Sequence, residues 1–400
     1  MRHWQPGSSV SDMNLDRAWV EINLDAIAHN IQQVRAQLAV ETHLMVIVKA
    51  DAYGHGAIAV AETALDAGAT WLGVATIPEG IVLREAGIIA PILILGATNL
   101  PEQVQAMVQW HLQPTLVTPK QALVFAETLQ AQNASLSVHL KLDTGMSRLG
   151  TNWEEAAHFI QGVKHLPNLA IASIYTHFAT ADDPDPTMLN LQHQRFLAAL
   201  QSAGIDPDDP QGPKLHCANS AATITDPRFH HDMVRTGLIT YGLYPAPHLK
   251  AKINLQSSLQ VKARITQVKS LAAGTGVSYG HRYVADSDRT IAVIGIGYAD
   301  GVPRNLSTKI DVLLRGQRVR QLGSITMDQI ILDVTDMPGV KEGEVVTLLG
   351  QDGSDCISAD DWADLLGTIS WEILCGFKLR LPRVLVSQDL AANKMLQATG

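Results

Sequence analysis

Lys49 directly follows the apolar run MVIV (45–48), where a charged ammonium is costly unless it is paired or gives up its proton. A desolvated lysine amine is a nucleophile of the kind that forms a Schiff base with a carbonyl. An ion pair with a neighbouring carboxylate such as Asp51 explains the same residue equally well. Ser220 follows a second apolar run, and Gly237 with the backbone of Leu238 follows a third. A hydroxyl and close-approaching backbone N–H groups in that arrangement suit an anion. Taken singly, Ser220 is more commonly the N-cap of the helix that begins AATIT. Arg235 lies inside an apolar run, and a buried guanidinium needs an acceptor, either a carboxylate or a ligand ring nitrogen. Arg148 and His177 pose the same question, and for His177 alone a hydrogen-bonded core histidine is the favoured reading.

These residues have positions in common. Between about Asn23 and Tyr241 the chain repeats a short apolar run, a turn and a longer helix-like segment. The runs are MVIV (45–48), WLGVA (71–75), ILIL (92–95), TLVT (115–118), VHLKL (138–142), IASIY (171–175), KLHC (214–217) and VRTGLI (234–239). Apolar residues on consecutive positions are what strands buried on both faces require. Eight of them alternating with helices predict an α/β fold, a (β/α)8 TIM-type barrel, whose chemistry sits at the C-terminal ends of the strands. Lys49, Tyr53, Lys141, Asp143, Arg148, His177, Asn219, Ser220, Arg235, Gly237 and Tyr241 all fall there. From about Ile253 the texture changes to short β-branched strands between Gly and Asp turns, with one convincing helix near Ala359 to Leu366. The expected layout is a flexible tail over 1–14, the barrel over 15–254 and a mostly β C-terminal domain over 255–400. Within it, RAWVEINL (17–24) alternates like a strand able to pair with the distant β domain.

Composition removes several classes of function. A formal charge of -9 without a long Lys/Arg run offers no footprint for nucleic acid or an anionic membrane surface. The richest apolar stretch, Ile88 to Ala97, is broken by Pro91 and is far short of the roughly 20 residues of a membrane span. The opening MRHWQPGSSVSDMN has no apolar core and is read as a tail, not a secretory signal. Cys217, Cys356 and Cys375, odd in number and without CxxC spacing, suggest reduced thiols and a cytoplasmic protein. GIGYADG (295–301) imitates a dinucleotide loop, but its spacing is GxGxxxG and Pro303 stands where a helix should start. The acidic loop ADDPDP (181–186) is read as an exposed turn, no His/Cys pair has zinc spacing, and no required metal is expected.

VIVKADAYGHG (46–56) resembles the cofactor-lysine signature of the alanine racemases, which use pyridoxal 5′-phosphate. KLDTGMSRLG (141–150), HCANSAA (216–222), RTGLITYGLYP (235–245), GVSYGHRY (276–283), GYADGVPR (297–304) and GSITMDQI (323–330) are similar to further blocks of that family, in the same order. The resemblance implies that Lys49 carries the cofactor and that Tyr279 is the opposing base. It also implies that Tyr53, Ser220, Gly237 and Leu238 hold the phosphate with Asn219 beside them, that Arg235 faces the pyridine nitrogen, and that Arg148 and His177 support the ring oxygen and Tyr279 respectively. Met327 and Arg148 are then substrate contacts, Asp328 a supporting residue, and Lys141 a lysine often carbamylated to hold Arg148. Two positions depart from the family pattern. Leu379 stands in LRLPR (379–383) where many members place a phosphate-binding tyrosine, and Thr326 where a cysteine is common.

The implied activity is interconversion of L- and D-alanine, supplying D-alanine for peptidoglycan, with acid/base groups on both faces of a planar carbanion. An arginine at the ring nitrogen cannot give up its proton, so that nitrogen stays unprotonated and the ring is a weaker electron sink. A tyrosine, with a reference pKa of about 10, is a poor base at neutral pH, so His177 and Arg235 would have to stabilise its phenolate. The implied assembly is a homodimer with composite active sites. The competing readings are a broad-specificity amino-acid racemase and a noncatalytic carrier of the cofactor built from the barrel alone.

Overall fold

The computed structural model describes residues 16–387, so the tail expected over 1–14 lies outside the described residues. The chain divides into two compact units, one of Ala26–Ala52 with Gly56–Gln256, the other including residues 16–25, 53–55 and 257–387.

The first unit is a parallel barrel. Its strands are His43–Ile47, Trp71–Val74, Ile92–Ala97, Gln113–Leu116, Leu136–Asp143, Leu169–Tyr175, Lys214–His216 and Met233–Thr236, and each of the eight apolar runs supplies one. Seven parallel pairings join them, among them Val46↔Leu72, Thr115↔His139 and Arg235↔Met45. The last gap is bridged by backbone hydrogen bonds from Asp232 N to Leu215 O at 3.1 Å and from Arg235 N to Ala218 O at 3.0 Å. The run VRTGLI does not extend as a strand to 239. It stops at Thr236, because Gly237 takes φ −115° and ψ −82° and starts a 3-10 turn over Leu238–Tyr241. Tyr241 is a wall residue of the barrel: it is buried, and its hydroxyl donates to Ile47 O at 2.7 Å.

The second unit is mostly β. Strands Leu259–Leu271, Arg289–Ile294, Ile330–Asp333, Gln317–Leu322, Asp311–Leu314 and Val345–Asp352 pair antiparallel in that order, and the last returns to the first through Val261↔Leu349, closing a small barrel. Strand Ala18–Asn23 joins this unit by pairing antiparallel with Leu259–Leu271, Ala18 against Ala263 and Ile22 against Leu259. Helix Ala359–Leu366 is present, and a second helix, Ser370–Gly376, follows it. The sequence did not announce that second helix because it is short and its N-cap, Ile369, has no side chain able to cap. Among the described residues, no helix is long and apolar enough to cross a membrane.

Candidate active site

Lys49 opens a helical turn, Lys49–Gly54, at the C-terminal end of the first barrel strand. The turn is left-handed: Ala50, Asp51, Ala52 and Tyr53 have φ of 53°, 52°, 54° and 55°. L-residues visit this region singly, at a cost of roughly 1–2 kcal/mol each, so four in a row must be held by their surroundings. Glu79 supplies much of the hold. Its Oε1 accepts from Ala50 N at 2.7 Å, and its Oε2 accepts from Ala75 N and Thr76 N at 2.8 and 2.9 Å, which ties the turn to the second barrel strand's loop. Ala52 N donates to Val48 O at 3.0 Å, and Asp51 Oδ1 accepts from Ala57 N at 2.8 Å, capping the next helix. Tyr53 ends the left-handed run, and burial pushes its hydroxyl up to about 12, so it is a proton donor at neutral pH.

At the same end of the barrel, Ser220 Oγ accepts from Gly237 N at 3.0 Å. The N-cap of helix Ser220–Thr225 is Asn219, whose side chain accepts from Ala222 N at 3.0 Å, so Ser220 is not the cap. Its hydroxyl and the Gly237–Leu238 backbone lie together beyond the seventh and eighth strands, the usual phosphate position in this fold.

Arg235 is 4% exposed, and its hydrogen-bond partners are neutral groups, not a carboxylate. Nη1 donates to His216 Nδ1 at 2.8 Å, while Nη2 donates to Thr176 O at 2.8 Å, to Cys217 O at 3.1 Å and toward His177 Nδ1 at 3.4 Å. From His216 a chain runs outward across the barrel. His216 Nε2 meets Ser173 Oγ at 2.9 Å, Ser173 Oγ meets His139 Nδ1 at 2.6 Å, and His139 Nε2 meets Gln113 Oε1 at 2.8 Å. Because arginine can only donate and an amide oxygen can only accept, every proton along the chain has one consistent direction, away from Arg235. Both imidazoles are neutral: burial lowers His139 to about 3, and burial followed by Arg235 takes His216 well below its usual value. Sequence reasoning missed Gln113, His139, Ser173 and His216. Each sits within a strand, and only barrel closure sets them side by side.

The same logic sets the tautomer of His177. Its Nδ1 accepts from Arg235, so Nε2 carries the proton, and burial with the charges of Arg235, Lys141, Arg148 and Lys49 keeps the ring neutral. Lys141 is buried in the fifth barrel strand and is lowered to about 8, first by burial and then by Arg235 and Arg148. Arg148 lies on the loop that follows, lining an open cleft of about 580 Å³ with Asp143, Ser147, Trp153 and Arg195. Asp143 Oδ1 shapes that loop by accepting from Gly145 N and Ser147 N at 2.9 and 3.0 Å. Lys49, Lys141, Arg148 and Arg235 thus act on one another as a cluster of positive charge. A nucleophilic amine, a hydroxyl-and-amide cradle, a non-titrating donor and an excess of positive charge fit an anionic, phosphate-bearing aromatic aldehyde.

Tyr279, Met327 and Asp328 belong to the second unit. Tyr279 sits at the tip of the hairpin formed by Gly276–Val277 and Tyr283–Val284, and it is 73% exposed. Ser278 at φ 59° and Gly280 at φ 73° make the reversal, and two serines brace it: Ser278 Oγ donates to Ser324 O at 2.7 Å, and Ser324 Oγ donates to Tyr279 O at 2.8 Å. Met327 is 51% exposed. The segment that imitates a dinucleotide loop has its role here. Tyr298 N and Ala299 N donate to Thr326 O and Met327 O, both at 3.0 Å, and a Cβ on Gly297 would lie 2.3 Å from Thr326 O. Asp328 pairs with Arg380, which also faces the buried Asp300, and Leu379 beside it is 84% exposed.

The chain matches the family models described as alanine racemase, N-terminal domain, over residues 22–245, and alanine racemase, C-terminal domain, over residues 258–385. It is 61% identical to an alanine racemase of Nostoc sp., over 92% of this chain and 95% of that one, and 56% identical to one of Synechocystis sp., over 92% and 99%. A crystal structure of an alanine racemase from Bacillus anthracis with bound L-Ala-P superposes with a TM-score of 0.86 at 33% identity, covering 93% of this chain and 95% of that one. A histidine racemase from Leuconostoc mesenteroides superposes at 0.83 with 30% identity, covering 93% and 98%.

The left-handed turn yields a stability test. Ala50 is exposed, so Ala50→Val adds no burial, yet it puts a β-branched residue at φ 53° and should cost on the order of 1 kcal/mol or more. Ala50→Gly, which relieves the conformation but frees the unfolded chain, should stay within about 1 kcal/mol of the parent. Thermal melts of the three proteins check this, and a Val variant that melts with the parent would contradict the left-handed turn.

Proposed function

We infer that this chain, which belongs to the alanine racemase family over both of its domains, interconverts L- and D-alanine with pyridoxal 5′-phosphate held at the barrel mouth. The observation that carries this reading is that Lys49, the Ser220–Gly237 cradle and the Arg235 guanidinium share one end of the barrel. Lys49 Nζ would hold the cofactor's carbonyl carbon, Ser220, Gly237, Leu238 and Tyr53 its phosphate, and Arg235 its ring nitrogen. When bound, the cofactor supplies an electron sink that acidifies the substrate Cα–H.

The protein's own residues decide what becomes of that proton. Lys49 takes or returns it on one face and Tyr279 on the other, so the configuration inverts only when both act. Arg235 stays charged whatever the proton does, and its neutral partners leave that charge for the ring nitrogen, which limits electron withdrawal and favours return of the proton over longer-lived chemistry. His177, neutral with its proton on Nε2, is suited to donate to the Tyr279 oxygen. Lys141, lowered to about 8, has enough free amine to add to carbon dioxide with loss of one proton, and the resulting carbamate would anchor Arg148 beside the substrate. The backbone at Met327, fixed by Ala299 and Gly297, suits a substrate carboxylate, and Asp328 with Arg380 braces it.

The working form is a homodimer in which the second copy supplies Tyr279 and Met327 to the barrel mouth of the first. Their exposure, 73% and 51%, supports this, since a catalytic base needs a dry setting to be tuned. Alanine is favoured over larger substrates because the relatives at 61% and 56% identity are alanine racemases, whereas the histidine racemase stands at 30%. A noncatalytic carrier has no use for the C-terminal domain that carries Tyr279. The product would supply D-alanine for peptidoglycan in the cytoplasm, a setting consistent with three cysteines outside any disulfide.

Three experiments test this reading. Lys49→Ala should remove the visible absorbance of the purified protein, and borohydride reduction of the parent should leave the cofactor on the peptide containing Lys49. An adduct on Lys141 would overturn the assignment. Tyr279→Ala should lower α-hydrogen exchange of L-alanine with solvent deuterium by about 10²–10⁴-fold while largely sparing D-alanine, with racemisation lost in both directions. Equal loss for both enantiomers, followed by NMR, would point to a single base. Refolding Lys49→Ala together with Tyr279→Phe should regenerate one intact site per heterodimer, and inactive verified heterodimers would exclude a shared site.

A further inference from the structure

We propose that His193, Cys217 and His231 form a binding site for a thiophilic divalent cation of the Zn(II) type, separate from the residues assigned to cofactor and substrate. His193 projects from helix Thr187–Ser202, Cys217 directly follows the seventh barrel strand, and His231 precedes the eighth. Their ligand atoms all lie within 4.8 Å of one another, and the two Nε2 atoms are 3.0 Å apart. A tetrahedral zinc with Zn–N of about 2.0–2.1 Å and Zn–S of about 2.3 Å needs N···N of roughly 3.3 Å and N···S of roughly 3.5 Å. The imidazoles therefore need to part by only a few tenths of an ångström while the sulfur closes in.

Several features distinguish this cluster from a chance meeting of side chains. Two imidazoles turn the same nitrogen toward each other, so that one shared proton occupies the place between two metal-ligating atoms. His231 has a φ of 46°, a conformation that a non-glycine residue keeps only where its surroundings require it. Aromatic rings wall the cluster, Phe229 at 5.0 Å and Phe178 at 6.4 Å from the His193 ring and Phe196 at 5.9 Å from the His231 ring, which keeps the ligands in an apolar setting. Cys217 Sγ donates to Phe229 O at 3.2 Å, while its carbonyl accepts from Arg235 at 3.1 Å, so side chain and backbone serve different neighbours.

The chemistry selects a soft cation. Binding forms one metal–sulfur and two metal–nitrogen bonds, releases the thiol proton to solvent because a coordinated thiol is deprotonated, and moves the proton shared between the two Nε2 atoms to that ring's Nδ1, leaving both imidazoles neutral. A thiolate with two imidazoles is a soft-to-borderline donor set, so a hard cation that prefers oxygen ligands should not compete. Both imidazoles are only half-buried, whereas Cys217 is fully buried, and three protein ligands leave the fourth tetrahedral position for water.

The test uses the holoenzyme dialysed against chelator and titrated with Co(II) alone. One equivalent per chain should produce a thiolate-to-cobalt charge-transfer band in the near ultraviolet, which Cys217→Ser abolishes. Because Cys217 is fully buried and its variant could fail to fold, His193→Gln on the half-exposed helix face provides a second arm. It should weaken Zn(II) binding, measured by calorimetry, by on the order of a hundredfold or more and remove the rise in melting temperature that Zn(II) gives the parent. Cobalt binding without the charge-transfer band, no binding at all, or equal affinity in His193→Gln would overturn the site.

Discussion

A guanidinium buried inside a barrel cannot lose its charge and has to be satisfied by hydrogen bonds, and much of this barrel's interior follows from that constraint. Arg235 is met by two backbone carbonyls and two imidazoles. A carboxylate in their place would neutralise the guanidinium. Neutral acceptors satisfy the donors and leave the charge standing, but each imidazole then needs a partner for its other nitrogen. His216 passes the requirement to Ser173, Ser173 to His139, and His139 to Gln113, and an amide oxygen ends the chain because it needs no donor of its own. One charge thus dictates polar residues on four of the other seven strands, in positions that would otherwise be hydrocarbon.

The same charge shapes its neighbours. Arg235 fixes the tautomer of His177, helps lower Lys141, and lends its backbone N–H to the closure of the barrel. Around it, the chain accepts unfavourable backbone conformation where a side chain has to be aimed. Lys49 stands at the head of four left-handed residues that Glu79 and Asp51 hold in place, and Tyr279 rides a hairpin tip between Ser278 and Gly280, both at positive φ. Glu79 and Ser324 hold the two turns from elsewhere in the chain, so the aim depends on the completed fold.

The candidate cation cluster extends this picture to the barrel's seventh and eighth strand connections. Cys217 is shared between the two, its carbonyl on Arg235 and its sulfur facing His193 and His231. An ion there would brace the segment that leads into Asn219 and Ser220.

The sequence alone determined the barrel, because strands buried on both faces must be apolar on consecutive residues, and all eight runs became strands within a few residues of their expected limits. It also determined which side chains stand at the mouth, since in a parallel barrel the residue after each strand has only one end to occupy. Lys49, Ser220 and Gly237 were legible for that reason. Local pattern was insufficient where two capping residues adjoin: Asn219 and Ser220 are equally good caps by type, and only the fold shows that Asn219 caps the helix while Ser220 meets Gly237 N. Nor could it reveal His139, Ser173 and His216 as a network, the GIGYADG segment as the support of Met327, or His193 beside His231. Each of these is a meeting of residues far apart along the chain, and hydrogen-bond direction, close backbone approach and ligand geometry exist only once closure brings them within a few ångströms.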